Sequence, residues 1–152
     1  MTMLVGVDLV AIETIRSAIA RFGDRYRTRV FTTQELAYCE SRGDGEISSL
    51  AARFAAKEAT VKLLAESSGW PMTDIEVTSS PTCQPGIRLH GPAALVARNR
   101  RITCMAVSLS HEGDYAVAVV TAKIPPLLTR RLPRHKFRSP VVVTIPRRHR
   151  EP

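Results

Sequence analysis

The sequence predicts an α+β domain with helices packed on a mainly antiparallel sheet. Apolar residues recur at helical spacing through the first half of the chain and alternate at strand spacing through the second. Helices followed by a run of strands, rather than strict alternation of the two, favour antiparallel pairing. The 152 residues suffice for one domain whose core needs no disulfide or metal to fold, and 44% apolar with 24% charged residues reads as globular.

Met3-Leu-Val-Gly-Val-Asp-Leu-Val10 is apolar and rich in β-branched residues, the pattern of a largely buried strand. A helix follows from about Ile12 to Phe22, with Ile12, Ile15, Ile19 and Phe22 as its apolar stripe, and Gly23-Asp24 ends it. Thr32 or Thr33 caps a second helix that carries Gln34 and Glu35 in its first turn. After a polar loop, Ser41 to Glu46, the strongest helix spans about Ser49 to Glu66, almost all good helix formers. Its apolar series is Leu50, Phe54, Val61 and Leu64 or Ala65, and Ser67-Ser68-Gly69 stops it. Strands follow at Ile75-Glu-Val77, Ile87-Arg-Leu89 and Met105–Leu109, with a helix from about Pro92 to Asn99 before the third. His111-Glu112-Gly113-Asp114 reads as a turn, and Tyr115 to Ala122 returns as the second arm of a hairpin. No internal repeat interrupts this order.

The chain carries 22 Lys and Arg against 14 Asp and Glu, a formal charge of +8. All of it sits at the end. Residues 1–122 balance at 13 against 13, whereas 123–152 hold nine basic residues, one acid and six of the ten prolines. That segment reads as a basic, proline-rich tail on a neutral domain of residues 1–122. The three cysteines lack metal-ligand spacing. The apolar run Met3–Ile12 is short, with Asp8 at its middle, which suits neither a signal peptide nor a membrane span. The expected compartment is therefore the cytoplasm, with no membrane partner.

Three polar features stand where packing alone would not ask for them. Asp8 lies inside an apolar strand, although it could also cap the next helix. Glu58 and Lys62 are one turn apart on the long helix, beside the small residues Ala51, Ala55 and Ala59; such pairs are commonly solvated. His111 closes Ser108-Leu-Ser110-His111 at a strand end. The residues alone suggest two carboxylates able to hold a hard cation, with a lysine and a histidine nearby.

Taken in order, Gly6-Val-Asp8, Arg53-Phe-Ala-Ala-Lys-Glu-Ala59 with Lys62, Asp74-Ile-Glu-Val77 and Ser108-Leu-Ser-His111 resemble a holo-[acyl-carrier-protein] synthase. That is the small, single-repeat kind of 4′-phosphopantetheinyl transferase, and the resemblance covers residues 3–122. It implies that fold, and transfer of the phosphopantetheine arm of coenzyme A to a serine of an acyl carrier protein in fatty-acid or polyketide biosynthesis. It further implies a homotrimer with coenzyme A in clefts between subunits, Mg²⁺ held by Asp8 and Glu58, and Lys62 neutralising phosphate charge. Arg53, Lys57, Ser108 and Ser110 become candidate nucleotide contacts, Lys57 pointing about 100° away from Glu58 around the helix. His111 becomes a phosphate contact or general base, a task that Glu35, Glu58 or a metal-bound water could also perform. The acidic carrier would dock on Arg16, Arg21, Phe22 and Arg25, part of an arginine-rich stretch that runs on through Arg27 and Arg29.

The sequence departs from the family pattern at three places. Leu63-Leu-Ala-Glu-Ser67 stands where the family carries a glycine-containing loop. Cys83-Gln-Pro85 replaces a Gly-x-Pro turn, and Thr14 holds the place of an early arginine, displaced here to Arg16. Two other functions stay open on the sequence. One is a carrier-binding protein that has lost turnover; the other is binding of anionic partners, nucleic acid among them, through the tail.

Overall fold

The computed structural model of the protein describes residues 2–65, 69–80 and 84–126. Expectations placed on Glu66, Ser67, Ser68 and Cys83, and on the tail beyond residue 126, lie outside the described residues. Strand β1 (Thr2–Ala11) leads into α1 (Ile12–Phe22), α2 (Asp24–Val30), α3 (Thr33–Glu40) and the long α4 (Glu46–Leu64). The hairpin β2 (Ile75–Ser79) and β3 (Pro85–Leu89), helix α5 (Gly91–Asn99), and strands β4 (Cys104–Glu112) and β5 (Tyr115–Ile124) follow. All pairing is antiparallel, as the sequence predicts, but it forms two sheets: β1-β5-β4 with β5 in the centre, and β2-β3 apart.

Helix α4 is the axis of the domain. It lies across β1 and β5, and its exposed perimeter is small: Leu50, Ala51, Ala52, Ala55, Ala56, Ala59, Leu63 and Leu64 are all buried. The predicted apolar series describes it only in part, because Phe54 and Val61 are half-buried and the alanines make the tightest contacts. The facing surface of β5 is equally small, with Ala116, Ala118, Val120 and Ala122 buried and the alternate residues turned outward. Small residues on both partners let helix and sheet approach closely. The approach is tightest at Gly6, where an added Cβ would lie 1.9 Å from the carbonyl oxygen of Ala59 and 3.1 Å from the Leu63 Cβ. Gly6 is a spatial necessity, not a conformational one.

The N-terminal helices follow the sequence with one addition. Helix α1 buries Ile12 and Ile15 but leaves Phe22, the last residue of its predicted stripe, 54% exposed. Gly23, at φ 57°, ends α1 and opens α2, a helix with no separate apolar stripe to announce it. Thr32 caps α3 in a full capping box with Glu35, its hydroxyl accepting from the Glu35 amide and its amide donating to the Glu35 carboxylate. Helix α4 begins three residues earlier than expected, straight out of a 3-10 turn at Gly43–Gly45, and ends at Ala65 in the left-handed conformation. The β4–β5 connection is shorter than predicted: Gly113, at φ 54°, lets Gly113-Asp114 make the whole turn, so His111 and Glu112 belong to β4. No described helix is long and apolar enough to cross a membrane.

Replacing Gly6 by alanine should force α4 off the sheet and lower the stability of the domain by about 3 kcal/mol. Urea denaturation measures this directly, and an unchanged midpoint would show that the contact tolerates a methyl group.

Candidate active site

Asp8 follows Gly6 by two residues on β1, so both side-chain positions face α4. Its carboxylate is mostly enclosed, with the side chain 14% exposed, and Lys62 Nζ lies 2.6 Å from its Oδ1. The same ammonium donates to the Val7 carbonyl at 3.2 Å. Glu58, one turn before Lys62, is half-buried beside them. Its carboxyl pKa is raised, first by burial and then by the negative charge of Asp8, with Lys62 pulling the other way. Two carboxylates therefore share one place with a single ammonium, and Glu58 carries the imbalance.

The chemistry of these donors fits a hard divalent cation. Among the described residues no three His, Cys, Asp or Glu side chains converge into a complete metal centre. Mg²⁺ asks for less, since it is commonly held by one or two carboxylates with waters and substrate phosphates in the remaining positions. Asp8 and Glu58 are such a pair.

The other half of the Arg-Phe-Ala-Ala-Lys-Glu-Ala segment faces elsewhere. Arg53 and Lys57, also one turn apart, point toward α3 and β2 rather than β1. Lys57 is fully buried, paired with Glu35 at 2.8 Å and donating to the carbonyls of Met72 (3.1 Å) and Ile75. Burial pushes its pKa down, against the pull of Glu35. All three ammonium donors are thus engaged inside the domain, leaving none for a nucleotide. Glu35 is equally committed: it is 1% exposed and accepts from Lys57, Thr32 N and Val77 N, which removes it from the candidate bases. Arg53 is 4% exposed, lies 4.0 Å over the Tyr38 ring and donates to Ser79 Oγ at 3.1 Å. Its Nε alone has no hydrogen-bond partner among the described residues.

The strand residues also divide. His111 pairs with Ala116, and Asp8 with Ala118, so His111 lies on the same sheet face as Asp8, two strands over and two residues along. That places their α-carbons roughly 12 Å apart. His111 lines an open surface cavity of about 280 Å³ with Glu13, Arg16, Asp44, Ser48 and Asp114. Ser108 and Ser110 pair with Val119 and Val117 on the opposite, outer face, away from the carboxylates of their own chain.

Of the expected docking residues, Arg16, Arg21 and Arg25 are exposed; Arg16 is loosely tied to Glu13, and the Arg21 guanidinium sits 5.0 Å over the Phe22 ring. Arg27 differs from its neighbours. It grips Glu40 and Glu46 at 2.8 and 2.7 Å, which fastens α2 to α3 and to the start of α4. Two residues escape a sequence reading. Tyr26, on the unforeseen α2, packs edge-on against Phe31, and its phenol pKa is raised by burial and by the nearby charge of Glu58. Arg100 donates to the Leu63 carbonyl at 2.8 Å, closing the end of α4 next to Lys62.

Comparison with known proteins identifies the family. A family model, the 4′-phosphopantetheinyl transferase superfamily, matches residues 4–120. A holo-[acyl-carrier-protein] synthase of Desulforudis audaxviator is 46% identical over 126 residues, covering 82% of this chain and 95% of its own. One from Dehalococcoides mccartyi is 42% identical over 118 residues, covering 78% and 96%. Among solved structures, the ACPS–CoA complex of Chronobacterium ammoniagenes superposes with a TM-score of 0.74 at 28% identity, over 83% of this chain and all of that one. The Helicobacter pylori holo-[acyl-carrier-protein] synthase in complex with coenzyme A gives 0.69 at 30% identity, over 79% and 100%. With its carboxylates set on β1 and α4 and its whole core matched, the chain belongs to the 4′-phosphopantetheinyl transferase superfamily, among the holo-[acyl-carrier-protein] synthases.

Proposed function

We propose that the protein transfers 4′-phosphopantetheine from coenzyme A to a serine hydroxyl of an apo acyl carrier protein, releasing adenosine 3′,5′-bisphosphate, in fatty-acid or polyketide biosynthesis. The observation that carries this reading is the meeting of Asp8, Glu58 and Lys62 at one point where β1 crosses α4. The serine oxygen attacks the phosphorus that bears the pantetheine arm; a new P–O bond forms, and the bond to the bridging pyrophosphate oxygen breaks. Charge grows on the non-bridging oxygens and on the departing bisphosphate, so the site's work is positioning and electrostatic stabilisation. Asp8 and Glu58 would hold Mg²⁺, which supplies positive charge to the pyrophosphate oxygens when bound. Lys62 supplies a compact ammonium to the same phosphates. The serine proton must leave to a base, and the groups within reach of solvent for it are Glu58 and His111.

The outer face of the β1-β5-β4 sheet supports assembly. Met3, Val5, Val7 and Leu9 stand exposed in a row, Leu9 by 63%, with Tyr115 and Val119 beside them. A contiguous apolar patch of this kind marks a protein contact. In the homotrimer we propose, it packs against neighbouring subunits, and coenzyme A lies in the clefts between them. Ser108 and Ser110, on this same face, would then meet the nucleotide of an adjacent subunit. Exposed Arg16, Arg21, Arg25 and Phe22 would receive the acidic carrier. The same reading assigns the protein to the cytoplasm.

Incubating the protein with coenzyme A, Mg²⁺ and several apo carriers should add phosphopantetheine to at least one of them, read by intact-mass spectrometry. No addition to any carrier would refute the activity. Glu58→Gln should reduce turnover on the order of 10²-fold or more, yet unfold at no lower temperature than the parent at pH 7. The sign follows from the raised pKa: ionising Glu58 costs stability at neutral pH, and that cost fades as pH falls through the raised value toward the ordinary carboxylate range. The advantage of the variant should fade with it; a variant less stable than the parent at pH 7 would contradict this. Val5→Lys together with Leu9→Lys should convert a trimer to monomers in sedimentation and abolish transfer.

A further inference from the structure

We propose that Lys62 is a built-in counter-ion for the cation seat: it holds Asp8 until a divalent cation displaces it, and the released ammonium is the one that meets the substrate phosphate. The proposal rests on the reading of Asp8 and Glu58 as that seat. Its basis is that one ammonium has two duties it cannot perform at once. At 2.6 Å from Asp8 Oδ1 and 3.2 Å from the Val7 carbonyl, Lys62 Nζ already spends its charge and two of its three donors on β1. One donor is left over, but the ammonium serves a phosphate with its full charge only once the contact with Asp8 is given up.

The two partners differ in freedom. Asp8 sits on a strand paired along its whole length with β5, and its side chain is 14% exposed. Lys62 reaches it from the last turn of α4 along a flexible four-carbon stem, 55% exposed. When the pair opens, the lysine is the group that moves. The charges then balance in both states. Two carboxylates and one ammonium leave the seat one unit negative, a charge that a divalent cation can answer. A divalent cation neutralises both carboxylates and leaves Lys62, 55% exposed, as free positive charge for an anionic pyrophosphate. Cation entry and release of the lysine are thus one linked event, and by reciprocity each affects the other equally. An empty seat stays closed to cations bound weakly and non-specifically, and the full phosphate-binding charge appears only when the seat is loaded.

Mn²⁺ titration followed by electron paramagnetic resonance, without coenzyme A, tests the exchange on the full-length chain. Lys62→Met should bind Mn²⁺ on the order of threefold to tenfold more tightly than the parent, whereas Lys62→Arg, which keeps the contact, should not. Equal or weaker binding by Lys62→Met overturns the proposal. Absence of Mn²⁺ binding in both parent and variant overturns the cation seat itself, and the proposal with it. A second readout needs no change at Lys62. Reductive methylation with ¹³C-formaldehyde labels exposed lysines in a chain whose lysines are Lys57, Lys62, Lys123 and Lys136. The Lys62 methyl resonance should shift when Mg²⁺ is added and shift likewise in Asp8→Asn; a resonance unmoved by either would show that no ion pair holds the lysine.

Discussion

Everything at the site hangs on the contact between the Gly6 backbone and the Ala59 carbonyl. No side chain fits between β1 and α4 there, and the helix rests on the strand itself. Because a strand repeats every two residues and a helix every turn, that one contact sets where Asp8 meets Glu58 and Lys62. The alanines of α4 and the alanines of β5 extend the same close approach along the helix.

Helix α4 carries two i, i+4 pairs with opposite fates. Arg53 and Lys57 turn inward, toward Tyr38, Glu35 and the carbonyls around β2. Burying an ammonium and a carboxylate is costly unless every donor and acceptor is satisfied, and here Lys57 and Glu35 satisfy each other together with four backbone groups. They tie α3, α4 and the β2-β3 hairpin into one frame. Glu58 and Lys62 turn toward β1 and keep contact with solvent, Lys62 paired there with Asp8. The frame lets the reactive pair carry an unbalanced charge without the helix shifting.

Much of this was legible in the sequence because it depends on local rules. Thr32 with Glu35 announces its capping box, and alternation marks β4 and β5 together with their inner faces. Asp8 within an apolar strand and Glu58 one turn before Lys62 already suggest a carboxylate pair with a lysine. What the sequence hides depends on the environment. A Lys inside Ala-Ala-Lys-Glu-Ala looks solvated or ligand-bound, and only the position of Glu35, 22 residues earlier in the chain, makes it a core residue. Helix α2 lacks an apolar stripe, and with it Tyr26 went unseen beside Glu58. Among five nearby arginines, nothing in composition separates Arg27, a clamp, from Arg25, which is exposed.

In the proposed reaction Asp8 and Glu58 hold a divalent cation while Lys62 serves the phosphate. A crystal of the protein with coenzyme A and Mn²⁺, measured at the manganese absorption edge, tests this most directly. The expected result is an anomalous peak between the two carboxylates, with Lys62 Nζ drawn off Asp8 onto a phosphate oxygen. Manganese bound elsewhere, or Lys62 still on Asp8 with the nucleotide in place, would contradict it.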